Sequence, residues 1–153
     1  MSSGRTNGGS GRADGQSLVT AVLAVTAGWT AVAVAAAVGP EVLWPVAAAV
    51  SVVVFAAGTV LFLWGFGVAV GRSREDVMGI GGLYFLAGSA PRPVQVRLLG
   101  CLAVQVVVST GVALSHPFTA LAFCTLVPMF GLGACGLWAA KYGTFPPRPD
   151  TVS

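Results

Sequence analysis

Charged side chains are scarce in this chain, and most of its length lacks them altogether. Only 8% of the 153 residues are Asp, Glu, Lys or Arg, against about a quarter in soluble domains. The stretches 17–39, 42–71 and 118–140 contain none, and the stretch 97–115 contains only its first residue, Arg97. So little charge excludes a protein whose surface is mainly solvated by water. The lipid bilayer is therefore the expected surroundings of these stretches.

Each of the four stretches has about the length of a membrane-spanning helix. A helix needs about 20 apolar residues to cross the hydrocarbon core. The sequence therefore predicts an all-α, polytopic membrane protein with four transmembrane helices at about 17–39, 42–71, 97–115 and 118–140, which form one domain over 17–140. A cleaved signal peptide is the alternative for the first stretch, although its apolar run is longer than such signals usually have.

The basic residues predict the orientation of the chain. All eight Lys and Arg lie in three places: before the first span, between the end of the second span and Arg97 at the start of the third, or after the fourth span. Basic residues in short loops are retained in the cytoplasm. We therefore expect a multi-pass membrane protein with both termini and the 72–96 loop in the cytoplasm. The basic residues are scattered and lack an aromatic surface beside them, which argues against nucleic-acid binding.

Reactive and metal-binding side chains are as scarce as charged ones. The three cysteines lie within the predicted spans and form no C-x-x-C pair, so apolar packing is their expected role. His116 stands alone beside Pro117, without partners for a metal site. The sequence thus predicts no catalytic residue, no metal site and no cofactor, and it favours a protein that is not an enzyme.

The third span carries the most polar line of residues in the membrane. Cys101, Gln105 and Ser109 are spaced by four and share one helical face. Because a buried amide needs hydrogen-bond partners, this candidate polar face should point toward other helices. Two interpretations remain open: the amide joins helices, or it contacts a solute in a small polar pocket.

The loop between the second and third spans is too long for a hairpin and too apolar for an ordinary loop. Ser73 and Asp76 resemble a capping box, which predicts a short helix there. We expect this helix to be interfacial or tucked under the bundle. The charged residues of the loop form either a solvated ion cluster or, as a candidate docking loop, a surface for a cytoplasmic or membrane protein partner: Arg72, Arg74, Glu75, Asp76 and Arg92.

The two ends of the chain are unlike the spans. Residues 1–16 are rich in Gly and Ser and are predicted to be disordered. Residues 141–153 contain several prolines and are predicted to form an extended cytoplasmic tail. Within the fourth span, Pro128 should kink the helix and free the carbonyl of Cys124, which Thr125 is placed to satisfy.

Small residues at helical spacing suggest close helix packing in three spans. Ala24 and Gly28 form one such step, Gly67 and Gly71 form a G-x-x-x-G, and the fourth span has a slim face at 131–136. These steps let backbones approach closely, either within one chain or in a homo-oligomer.

The second half of the chain resembles small four-span membrane proteins of high-GC actinobacteria. The resemblance is carried by SRED at 73–76, GLYFLAGSAPRP at 82–93 and KYGTFPPR at 141–148. It implies a bacterial source, and hence a bacterial plasma membrane as the location, and it brings no activity with it.

Two functions are compatible with these features. The first is a non-enzymatic accessory or scaffold protein that acts by contact through its cytoplasmic loop. The second is an oligomeric transporter or channel subunit for a small solute, with Gln105 in the pathway. A proton-coupled exporter is disfavoured because no acidic residue lies within a span.

Overall fold

The computed structural model describes residues 8–149, and its regular structure is helical. The chain forms α1 (Gly8–Val38), a 3-10 helix (Glu41–Leu43), α2 (Trp44–Arg72), α3 (Ile80–Tyr84), α4 (Arg92–Ser115), a second 3-10 helix (Ala120–Leu126) and α5 (Pro128–Tyr142). Four of its helical segments are long and apolar enough to cross a membrane: Gly11–Val38, Glu41–Arg72, Arg92–Ser115 and Ala120–Tyr142. The predicted all-α fold with four spans is confirmed.

Four crossings bring the start and the end of the bundle to the same end, which we call the basic end. It carries the start of α1, the loop between α2 and α4, and the end of α5. There the Trp138 indole donates a hydrogen bond to the carbonyl of Gly15 at 3.3 Å. The opposite, hairpin end carries the turns at 39–40 and 116–119.

The first helix starts earlier than predicted. Residues 8–16, which we expected to be disordered, are helical, and residues 1–7 lie outside the described part of the chain. The physical reason is packing against the end of α5. A Cβ added at Gly15 would lie 3.3 Å from the Trp138 indole nitrogen and 3.5 Å from the Tyr142 ring. These contacts give the polar start of α1 a surface to lie on, which its composition alone does not reveal.

The close packing of the bundle centres on α5, which packs mainly along α2. Gly58 of α2 meets the backbone of Phe130, and a Cβ at Gly65 would lie 2.8 Å from the backbone nitrogen of Leu137. The slim face predicted in the fourth span is confirmed, since Gly133 and its neighbours in α5 are buried against other elements.

The two other small-residue steps make no such contact among residues 8–149. Added Cβ atoms at Gly28, Gly67 and Gly71 would meet nothing within 4 Å, and Ala24 is exposed. The G-x-x-x-G of the second span therefore does not join this helix to the rest of the bundle. The glycines that do so lie on the other face of α2.

The fourth span changes from a 3-10 helix to an α-helix at Pro128, and the backbone of Val127 between them is helical. A 3-10 helix ends at Leu126, and α5 begins at Pro128, where the missing N–H costs no helical hydrogen bond. The carbonyl of Cys124 accepts from the backbone N–H of Val127 at 3.2 Å. Thr125 does not assist it as predicted, because its hydroxyl donates to the carbonyl of Ala122.

The predicted short helix in the loop is present, but it is shorter and starts later. α2 continues to Arg72, and the Ser73 hydroxyl donates back to the carbonyl of Val70 at 2.7 Å, so the predicted capping box does not form. α3 starts only at Ile80. Leu83 and Leu86 are buried, and α3 packs on α5, which tucks the loop under the bundle.

Candidate functional site

Arg72, the last residue of α2, joins three parts of the basic end. Its guanidinium donates to the carbonyl of Ala140 at 2.8 Å and to that of Gly143 at 3.2 Å. The last carbonyls of a helix lack helical partners and carry partial negative charge, so an arginine is well suited to them. The other guanidinium nitrogen donates to the Asp76 carboxylate at 2.8 Å.

The tail after α5 is extended, as predicted over the part that the structure describes, and it lies along the loop. Three backbone hydrogen bonds connect them: Val77 donates to Pro146 at 2.9 Å, Arg148 to Glu75 at 2.8 Å, and Thr144 to Ser89 at 2.9 Å. We call the loop at 73–91 together with the tail at 143–149 the platform. Because three backbone hydrogen bonds join the loop to the tail, the platform has a defined backbone conformation at the basic end.

The ring of Phe145 fixes the tail from the inside. The Arg72 guanidinium carbon lies 5.6 Å from the centre of this ring. The ring also contacts Gly82, where an added Cβ would lie 2.8 Å from it. The tail is therefore held by a cation–π contact and an apolar contact as well as by the backbone pairing.

α3 is anchored to the bundle by one aromatic side chain. The Tyr84 ring stacks on Phe62 of α2, with ring centres 5.3 Å apart and planes 14° apart. It also covers Gly136 of α5, where an added Cβ would lie 2.7 Å from the ring. Burial raises the pKa of the Tyr84 phenol above its ordinary value, because the charged form loses solvation there.

The five residues of the candidate docking loop do not form one group. Arg72 and Asp76 form an ion pair and are partly buried, whereas Arg74 and Glu75 are exposed. Arg92 lies at the start of α4, exposed and away from that pair. The structure thus separates residues that hold the platform from residues that a partner can reach.

Sequence reasoning recognised that the loop is apolar but did not identify which of its apolar residues are exposed on the platform. Ile80 is 75% exposed and Phe85 is 53% exposed, while Leu83 and Leu86 between and beside them are buried. The helical period is the signal that could have found them, because residues adjacent in sequence to a buried helical residue lie on the exposed side of the helix. Arg74 is also exposed on this loop, and we call the exposed side chains of Arg74, Ile80 and Phe85 the outer surface of the platform.

The predicted polar face of α4 lies inside the bundle. Cys101, Gln105 and Ser109 are all buried, and Gln105 is 0% exposed. The Gln105 amide nitrogen donates to the Thr26 hydroxyl of α1 at 2.8 Å, and its oxygen accepts from the backbone N–H of Gly131 of α5 at 3.0 Å. One side chain therefore connects three spans, which is the helix-joining interpretation of this face.

Other polar groups of the spans also serve helix contacts. The Trp29 indole donates to the Ser51 hydroxyl at 3.0 Å, and both residues are buried. The Ser51 hydroxyl lies 3.5 Å from the Cys124 sulfur. Among residues 8–149, the three cysteines are free thiols, and no group of three His, Cys, Asp or Glu side chains is placed to hold a metal ion.

No protein-family model, curated protein or solved structure matches the chain. The arguments below therefore rest on the contacts described above.

Proposed function

We propose that this integral membrane protein is a non-enzymatic accessory or scaffold protein that docks a membrane or cytoplasmic protein through its platform. The observation that carries the proposal is the combination of a fixed backbone with an unpartnered outer surface. Arg72 and the tail hold the loop in place, and Ile80, Phe85 and Arg74 project from it. Exposed apolar groups beside a charge are typical of a contact surface.

The charges of the platform indicate the kind of partner. Arg74, Lys141 and Arg148 are exposed at this end, and Glu75 is the exposed acid beside them. A partner with acidic side chains around an apolar patch would complement this surface. The proposal places the platform in the cytoplasm of a bacterial cell, in accordance with the distribution of Lys and Arg.

A photo-crosslinking amino acid at position 80 tests this proposal in cells. We expect it to capture one defined protein, and we expect Arg74→Ala to weaken that capture. The matched control carries the crosslinker at Val42, which is as exposed as Ile80 but lies at the hairpin end. Crosslinks only to lipid, or the same products from positions 80 and 42, would contradict docking.

Arg72→Ala alone does not test the outer surface, because it would also release the tail and so change the shape of the platform. Arg74→Ala removes an exposed guanidinium and leaves the fold intact. The comparison of the two therefore separates loss of the surface from loss of its support.

The structure offers little to the alternative, an oligomeric small-solute transporter or channel subunit. Gln105 was its candidate contact in the pathway, and its amide is engaged by Thr26 and Gly131. A pathway between copies of the chain would leave Gln105→Leu active in transport, so that substitution no longer distinguishes the two functions.

A further inference from the structure

An open groove of about 900 Å³ runs between α1 and α4. The two helices meet where Gln105 binds Thr26, and small side chains leave the space beside this contact unfilled. The groove is almost entirely apolar, and its walls include Leu23, Ala27, Ala31, Val34, Gly100 and Val104.

The surroundings of this groove determine what can fill it. Both walls belong to segments that are long and apolar enough to cross a membrane. An apolar groove open to the side of a spanning bundle faces hydrocarbon, where the available material of matching chemistry is an acyl chain.

One charged residue lines this groove, in addition to the polar side chains of Thr26 and Thr30. Arg97 lines the groove five residues after α4 begins at Arg92, about 7.5 Å along the helix axis. It is exposed, and the single ion pair among residues 8–149 joins Arg72 and Asp76. A guanidinium at that depth can reach the phosphate layer and form a two-pronged hydrogen bond with a phosphate.

We propose that this groove is a binding site for one anionic phospholipid. An acyl chain lies along Ala27, Ala31 and Gly100, and the phosphate lies on Arg97. The positive charge at one end of an apolar groove is the complementarity that favours an anionic lipid over a neutral lipid or a second copy of the chain.

Native mass spectrometry of the full chain tests the site. The purified protein is equilibrated in mixed micelles with equal amounts of phosphatidylglycerol and phosphatidylcholine of the same chain length. We expect one retained lipid per chain, with phosphatidylglycerol preferred by about fivefold or more, a free-energy difference of about 1 kcal/mol.

Two substitutions separate the headgroup contact from the groove. Arg97→Gln should reduce the preference to about onefold. Both lipids carry a phosphate, and the guanidinium charge is what favours the lipid whose headgroup has a net negative charge. Gly100→Leu should lower the retention of both lipids, because it fills the groove, and an added Cβ there meets nothing within 4 Å. Gly111→Leu is the matched control on the same helix, with similarly open surroundings.

The control for net charge is Arg92→Gln, which removes an arginine outside the groove. If Arg92→Gln reduced the preference as much as Arg97→Gln, diffuse charge would explain the result and the site would be refuted. A wild-type protein without preference would refute it as well. So would a dimer that Gly100→Leu dissociates, because the groove would then hold a second copy.

Discussion

The side-chain oxygen of Gln105 accepts a hydrogen bond from the backbone N–H of Gly131 at 3.0 Å. Gly131 is the fourth residue of α5, just after the change from a 3-10 helix to an α-helix at Pro128. A backbone group left without a helical partner at such a change meets a medium that offers it no water. An amide from α4 is thus placed in the first turn of α5, and the same amide holds α1 through Thr26.

Replacing Gln105 with Leu should destabilise the bundle. Leu keeps the volume but leaves the Gly131 N–H and the Thr26 hydroxyl without this partner. We expect a loss of about 1 kcal/mol, because hydrogen bonds between membrane helices are worth about 0.6 kcal/mol on average and about 1.7 at most. Thermal unfolding in detergent measures it.

Gln95→Leu is the matched control for that substitution. Gln95 is on the same helix and donates to the carbonyl of Phe85 at 3.1 Å, but this hydrogen bond is exposed. Water can replace it, so the control should be near wild type. Equal effects of the two substitutions would contradict the special role of Gln105.

Gly58 and Gly65 should tolerate alanine poorly, unlike Gly67 and Gly71. An added Cβ at either of the first two collides with the backbone of α5. Overpacking of this kind typically costs about 1–3 kcal/mol. At Gly67 and Gly71 the space is open, so alanine should leave the melting temperature in detergent unchanged or slightly raised.

The same four variants also examine the homo-oligomer predicted from the G-x-x-x-G. If Gly67→Ala and Gly71→Ala destabilised the protein as much as Gly58→Ala, the exposed face of α2 would be a contact between chains. Sedimentation of wild type and variants in detergent would then show a change in mass.

The contrast between these glycines shows which parts of the structure can be predicted from the sequence. The four spans follow from the absence of charge, since only hydrocarbon surroundings permit it. The inward direction of Gln105 follows from the cost of a lone amide in lipid. Which glycines make the contacts does not follow from the sequence. Gly58 and Gly67 lie on the same apolar helix, and only the three-dimensional packing shows that Gly58 faces α5 and Gly67 does not.

The platform could not be predicted for a related reason. Arg72 bonds carbonyls 68 and 71 residues away along the chain, and nothing near Arg72 in the sequence distinguishes it from Arg74. Local patterns gave a helix in the loop and an extended tail. The association of the loop with the tail depends on contacts between residues far apart in the sequence. Local patterns therefore do not show that the tail returns to the end of α2.

Arg72→Gln should free the tail from the loop. It removes the charge from the Asp76 pair and the guanidinium from the carbonyls of α5. Hydrogen–deuterium exchange should then rise at the amides of Val77, Thr144 and Arg148, which are bonded across the platform. The ion pair alone, being partly exposed, is worth only about 0–1 kcal/mol, so the spans should keep their protection.

Arg74→Gln is the control for this experiment, since it removes the same charge two residues away from an exposed position. Its exchange pattern should match wild type. Unchanged exchange in Arg72→Gln would show that backbone pairing holds the tail without the guanidinium.

Reporter fusions should place both termini in the cytoplasm. A fluorescent protein that folds only there should be bright at either end, and alkaline phosphatase, active only outside, should be silent at both. The physical basis is the retention of Lys and Arg inside. Fusions on opposite sides would contradict four crossings, and loss of an N-terminal fusion by processing would favour the signal-peptide alternative for the first stretch.

The platform should loosen at alkaline pH through Tyr84. Its pKa is raised by burial above the usual value of about 10, so the folded protein holds this proton more tightly than the unfolded chain. The stabilising contribution is complete below about pH 10 and is lost as pH rises through the raised pKa.

In Tyr142→Phe, Tyr84 is the single tyrosine left, and its phenolate absorbance should appear above pH 10. Tyr84→Phe keeps the stack on Phe62 but cannot ionise. The increase in hydrogen exchange of the loop that ionisation of Tyr84 causes in the wild type should therefore be absent in this variant. A phenol that titrates at or below pH 10 would contradict the burial of this ring against α2 and α5.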